Sequence, residues 1–167
     1  MLKNIILMCA LLIPMSASAM GERQEKPGPM IGTTAPEFVL DTIYNGTKKL
    51  SEARGEQKAV LFFWATWCPH CHEQLVRLNN SVDSLKRRGY VIILVNLGES
   101  TNDAKAFLKF NSIFLDSFMD PDSSLQDVYQ VIGVPTLYYI DEKGVIVSEQ
   151  HELAGNIDAL FGGQQKK

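Results

Sequence analysis

Ala59 to Trp64 is an unbroken apolar run, and beyond it the pattern changes period: Leu75, Val76, Leu78, Val82 and Leu85 recur at three- and four-residue intervals. The run predicts a buried strand over 58–64, and the periodic stretch predicts a long helix over 69–88, closed by Gly89. Val91 to Val95 is a second continuous apolar run, as expected of a parallel strand covered on both faces. Thr101 to Phe110 reads as a helix with Ala104, Phe107 and Leu108 on its inner stripe and Thr101 or Asn102 as cap. Phe114 to Met119 fits a short edge strand, broken by Asp120-Pro121-Asp122, and Ser123 to Gln130 another helix. Leu137–Ile140 and Val145–Val147 predict a hairpin around Asp141-Glu142-Lys143-Gly144, and Ala154–Phe161 a last helix. Ahead of these, Glu37–Leu40 reads as a strand, Asn45-Gly46 as a type I′ hairpin turn, and Leu50–Ala53 as a helical turn ending near Gly55. Strand–helix–strand, then helix, hairpin and helix, is an α/β order that calls for a mixed central sheet flanked by helices.

The N-terminus stands apart from this pattern. Lys3, an apolar stretch from Ile5 to Ile13 and the small residues Ala17-Ser18-Ala19 have the three-part form of a cleavable export signal, an uncleaved N-terminal anchor being the alternative. The expected organisation is a signal peptide over 1–19, a polar Gly/Pro linker over 20–29, one folded domain over 30–162 and a short tail over 163–167. The leader's apolar stretch is too short to span a bilayer comfortably, so the mature chain is expected to carry no membrane span. A chain of 167 residues with a net charge of -3 supports a single core and argues against a nucleic-acid surface. The cationic triplet Lys86-Arg87-Arg88 falls at a helix end, where the helix dipole favours cations without any partner.

The leader changes the cysteine count. Its removal takes Cys9 with it and leaves Cys68 and Cys71 of the three cysteines. An exported protein meets an oxidising compartment. A bridge closing so short a loop restrains little of the unfolded chain, so its value there is redox rather than structural. The pair falls where the first strand turns into the long helix, with Pro69 at the first helical position, where its missing N–H costs nothing. Free backbone N–H groups and the positive end of the helix dipole then face Cys68, stabilise its thiolate and make it the candidate nucleophile. Cys71 lies one turn on, within reach as the resolving thiol. His70, when protonated, adds a positive charge beside Cys68 and favours the reduced form. A C-x-x-C is also half of many zinc sites, but no second Cys/His pair at ligand spacing follows, so neither metal nor cofactor is expected.

Trp64-Ala65-Thr66-Trp67-Cys68-Pro69-His70-Cys71, with Gly133-Val134-Pro135-Thr136 further on, resembles the thioredoxin superfamily, and within it the exported TlpA/ResA-like, redoxin-type thiol–disulfide oxidoreductases. The resemblance runs from about Met30 to Phe161. It implies a thioredoxin-like fold with an N-terminal hairpin and a mid-domain helical insert. It also implies a cis Val134-Pro135 bond against the cysteine pair, with the backbone there open to a substrate strand, and Trp64 and Trp67 flanking the site, one mainly core and one partly exposed. Protein thiols or disulfides are the implied substrates, with a membrane electron donor or acceptor as redox partner and a reductase role in the periplasm or cell envelope, cytochrome c maturation included.

Two positions depart from the relatives. The buried acid that thioredoxin keeps six residues before its first cysteine is Phe62 here. The glutamate that ResA-like proteins carry three residues after the second cysteine is Gln74, with Glu73 beside it. Cys71 is thereby left without its usual proton carrier, a role open to Glu73 or water. Pro-His between the cysteines is also the dipeptide of the oxidising DsbA-type enzymes, so a dithiol oxidase or isomerase is the alternative within the class. A peroxidase on the related fold would need Pro-x-x-x-Thr-x-x-Cys, which Cys68 lacks. A metal chaperone using Cys68, Cys71 and a histidine is the alternative outside it.

Overall fold

The computed structural model describes residues 30–162. The leader, linker and tail expected at 1–19, 20–29 and 163–167 lie outside the described residues. The elements run β1 (Val39–Thr42), β2 (Gly46–Lys49), α1 (Leu50–Arg54), β3 (Lys58–Trp64), α2 (Pro69–Arg87), β4 (Tyr90–Leu97), α3 (Thr101–Phe110), β5 (Ser117–Asp120), α4 (Ser124–Val128), β6 (Thr136–Ile140), β7 (Ile146–Gln150) and α5 (Ile157–Phe161). They form one mixed sheet in the order β2-β1-β5-β4-β3-β6-β7. β3, β4 and β5 are parallel, and β6, β7, β1 and β2 each join antiparallel.

β3 shows why the apolar run is continuous. Val60, Phe62 and Trp64 point to one face of the sheet, into a core with Leu75, Leu78 and Leu85 of α2 and Leu108 of α3. Ala59, Leu61 and Phe63 point to the other, against Phe38, Leu125 and Tyr129. A strand buried on both faces has no polar side to show, so its sequence does not alternate. Phe62 thus fills, within the first core, the place where thioredoxin keeps its acid.

Several boundaries differ from those the sequence suggests, each for a local reason. β1 begins at Val39 and runs to Thr42, later than Glu37–Leu40, because Asp41 and Thr42 pair with Thr47 and Gly46. The hairpin is not a two-residue type I′ turn. Thr42 pairs with Gly46, the loop is Ile43 to Asn45, and Gly46 alone adopts a positive φ, 69°. That is the three-residue solution, in which only one position needs a left-handed backbone. β5 is an interior strand, not an edge, because the N-terminal hairpin pairs onto its outer side. The cap of α3 is Ser100, whose hydroxyl accepts the Asp103 N–H at 3.2 Å, one residue ahead of the two candidates. α4 is shorter than 123–130 and is held by Asp120, whose carboxylate accepts N–H bonds from Ser124 and Leu125. β7 begins at Ile146, and α5 forms only from Ile157, after Gly155 and the cap Asn156.

Candidate active site

α2 begins where β3 ends, at the carboxyl edge of the parallel strands. Cys68 is its N-cap, with an extended backbone, and Pro69 occupies the first turn. The backbone N–H of Cys71 donates to Cys68 Sγ at 3.1 Å. The helix N-terminus therefore offers a donor to this sulfur, the interaction that favours a thiolate over a thiol. Cys68 and Cys71 are joined in a disulfide, with Cα atoms 5.2 Å apart. Cys71 is fully buried, while Cys68 retains 4% of its surface, so an incoming group meets Cys68 first.

The Val134-Pro135 peptide is cis. Val134 O lies 3.5 Å from Cys68 Sγ. In the disulfide this is a contact, since the sulfur carries no hydrogen. In the dithiol the same oxygen is placed to accept an S–H. Thr136 Oγ1 donates to Gly133 O at 2.7 Å and fixes the turn on which Val134 sits. The structure thus brings Cys68, Cys71, Pro69, Val134 and Pro135 together.

Trp67 and His70 stand at the margin. Trp64 is buried, its Nε1 donating to Ser117 Oγ at 3.0 Å, whereas Trp67 is 70% exposed. The two tryptophans therefore divide between core and surface. His70 is exposed, and its Nδ1 is 3.9 Å from the equally exposed Glu73 carboxylate. Glu73 therefore turns to solvent. Gln74, not Glu73, lies inside: 5% exposed, its Oε1 accepting Leu153 N–H at 2.8 Å and an Arg77 N–H at 3.2 Å. Arg77 also donates to Leu153 O at 3.0 Å, which ties the chain after β7 to the first turns of α2. Among the described residues no three His, Cys, Asp or Glu side chains form a metal-binding group.

Sequence reasoning overlooked three groups. His151 Nδ1 is 2.9 Å from Pro135 O and braces the proline loop from its outer side. Glu99, just past β4, accepts the Thr66 backbone N–H at 2.7 Å and the Thr66 hydroxyl. Asn96, fully buried and paired with Trp64 across β3 and β4, donates Nδ2 to Glu99 at 2.6 Å and leaves Oδ1 without a protein partner. A buried unpaired acceptor costs about 1–3 kcal/mol, so an apolar residue would be the ordinary occupant. The one signal in the sequence was that Asn96 interrupts the apolar run of β4 just before Gly98-Glu99.

Comparison with known proteins agrees with this geometry. Residues 31–149 match the model of the AhpC/TSA family. The thiol-disulfide oxidoreductase ResA of Geobacillus kaustophilus is 30% identical over 122 residues, 73% of this chain and 70% of the relative. The thiol:disulfide interchange protein DsbE of Pseudomonas aeruginosa is 32% identical over 146 residues, 84% and 76% of the two chains. A crystal structure described as a DsbE from Chlorobium tepidum superposes with a TM-score of 0.70 at 30% identity, covering 78% of this chain and 92% of that one. With the disulfide at the head of α2, the chain belongs to the AhpC/TSA family, as a thiol–disulfide oxidoreductase of the ResA/DsbE type with a thioredoxin-like fold.

Proposed function

We propose that this protein is an exported reductase of protein disulfides, with apocytochrome c cysteines among its substrates and a membrane electron donor that restores its dithiol. The observation that carries the reading is the position of Cys68 Sγ, which receives a helix-terminal N–H at 3.1 Å and faces the Val134 carbonyl. The pattern of residues 1–19 supports export, and the names of the relatives support thiol–disulfide exchange.

In the dithiol, the Cys68 thiolate attacks one sulfur of a substrate disulfide. A mixed disulfide forms on Cys68, and the other substrate sulfur leaves as a thiolate and takes up a proton. Cys71, buried one turn below, loses its proton and attacks Cys68 Sγ, which forms the intramolecular disulfide and expels the second substrate sulfur. Two electrons pass from the cysteine pair to the substrate. The backbone about Val134 is the place for a substrate strand to pair, and the N–H groups at the head of α2, entered through Pro69, set the field at Cys68, with a smaller share from exposed His70. Gln74 is amidic and Glu73 is turned outward, so neither side chain takes the Cys71 proton in this arrangement.

Cys71→Ser removes the resolving sulfur and should trap substrates on Cys68. Covalent complexes recovered from cell envelopes, with cytochrome c precursors among them, are the expected result. Recovery of none would contradict protein substrates. The oxidase reading rests on Pro69-His70, and the equilibrium of the pair with glutathione separates the two. A potential in the range of thioredoxin, about -270 mV, fits a reductase, and one near that of DsbA, about -120 mV, fits an oxidase.

A further inference from the structure

The geometry points to Glu99 as a positioning residue that holds the active-site turn and, by its charge, biases the cysteine pair toward the disulfide. This rests on the reading of Cys68 as the nucleophile. Gly98 ends β4 with a positive φ of 72°, a conformation natural to glycine, and its N–H is taken by Asp120 O at 2.9 Å. The reversal places Glu99 against Thr66, two residues ahead of the helix cap Cys68. The carboxylate takes both donors of Thr66 and the Nδ2 of buried Asn96. Three donors on one half-buried carboxylate make a fixed anchor, and Asn96 is kept polar inside the sheet to complete it.

The electrostatic consequence follows from place. Glu99 adds a negative charge to the same end of α2 whose N–H groups favour a Cys68 thiolate. Like charges oppose one another, so Glu99 disfavours the thiolate and thereby the dithiol state. The other charged or titratable groups about the pair include His70, His72, Glu73 and Arg77 on α2, Arg77 being turned to Gln74 and Leu153, and His151 behind Pro135. The segment from Val131 to Thr136 brings none. Glu99 is thus a counterweight to the helix terminus and to His70, and it pushes the couple in the reducing direction.

The test is the equilibrium of the full chain with glutathione. The Cys68–Cys71 disulfide takes two electrons and two protons from two glutathione thiols, which leave as glutathione disulfide. Glu99→Gln keeps an oxygen for Thr66 and removes the charge. It should move the equilibrium constant toward the dithiol by about three- to tenfold, tenfold being about 30 mV, and speed alkylation of Cys68 at pH 6 by a similar factor. Glu99→Ala should shift the equilibrium in the same sense. Thr66→Ala loosens the anchor but leaves the charge, and should stay within about twofold of the parent. An unchanged constant in both Glu99 variants, or an equal shift in Thr66→Ala, overturns the proposal. Ordinary thiol reactivity of Cys68 in the unsubstituted protein would instead overturn the nucleophile reading on which it rests.

Discussion

Gln74 Oε1 accepts the N–H of Leu153 at 2.8 Å, one helical turn beyond Cys71. The amide does for the fold what a carboxylate could do, as an acceptor, but it does not titrate. Gln74→Ala should cost about 1–3 kcal/mol in denaturant unfolding, because Leu153 N–H is left buried and unpaired. Gln74→Glu keeps the acceptor and adds a charge next to Cys71. It should restore a side-chain proton carrier beside Cys71 and make resolution of the mixed disulfide faster and pH-dependent, as read by stopped-flow exchange.

His70 is exposed and faces Glu73, so its influence on Cys68 is screened by water and partly cancelled. His70→Ala should lower the reduction potential by less than about 30 mV, the tenfold equivalent for a two-electron couple. A redox titration against glutathione checks this.

Trp67 adjoins Cys68, and Ile132, 97% exposed, lies two residues before Val134. Large apolar side chains held in water on the two segments that meet at Cys68 fit contact with a protein substrate. Trp67→Ala and Ile132→Ser should each raise KM for a protein disulfide several-fold. Exchange with glutathione, which is too small to span both, should be unchanged, and steady-state kinetics with the two substrates separates the effects.

Burial, aided at Tyr90 by Asp158 and at Tyr138 by Glu149, pushes the phenols of Tyr90, Tyr129 and Tyr138 well above their usual range, and burial raises Tyr139 as well. A phenol whose pKa is raised on folding stabilises the fold fully below its unfolded value, near 10, and loses that contribution as pH climbs toward the folded value. Absorbance at 295 nm should show these four tyrosines resisting ionisation past pH 10 in the native protein. Stability measured by urea should decline over the same range. Normal titration of all four with the fold intact would contradict their burial.

How much of this was legible depended on where the information lay. β3 and α2 read directly because an apolar run and a helical period are local, and Cys68-Pro69 carries its own cap chemistry. The interior position of β5 was not legible, since it depends on the Thr42–Phe118 pairing with the N-terminal hairpin, far away in sequence. Ser100 was hidden because Thr101 and Asn102 cap equally well by composition, and only the backbone geometry chooses. At the site, the cysteines and the proline were evident. Gln74 stood out as a departure from the ResA-like glutamate, but its hold on Leu153 did not, nor did Glu99, because each acts through a backbone N–H, of Leu153 or Thr66, brought near only by folding.

The most direct test is the pH dependence of iodoacetamide alkylation in the reduced protein, with each cysteine resolved by peptide mass spectrometry. Cys68 should react at neutral pH far faster than an ordinary thiol, its rate levelling off below the usual thiol pKa of about 8.5, with Cys71 protected throughout. Equal reactivity at the two sulfurs, or a Cys68 profile centred on that ordinary value, would contradict a thiolate stabilised by the head of α2.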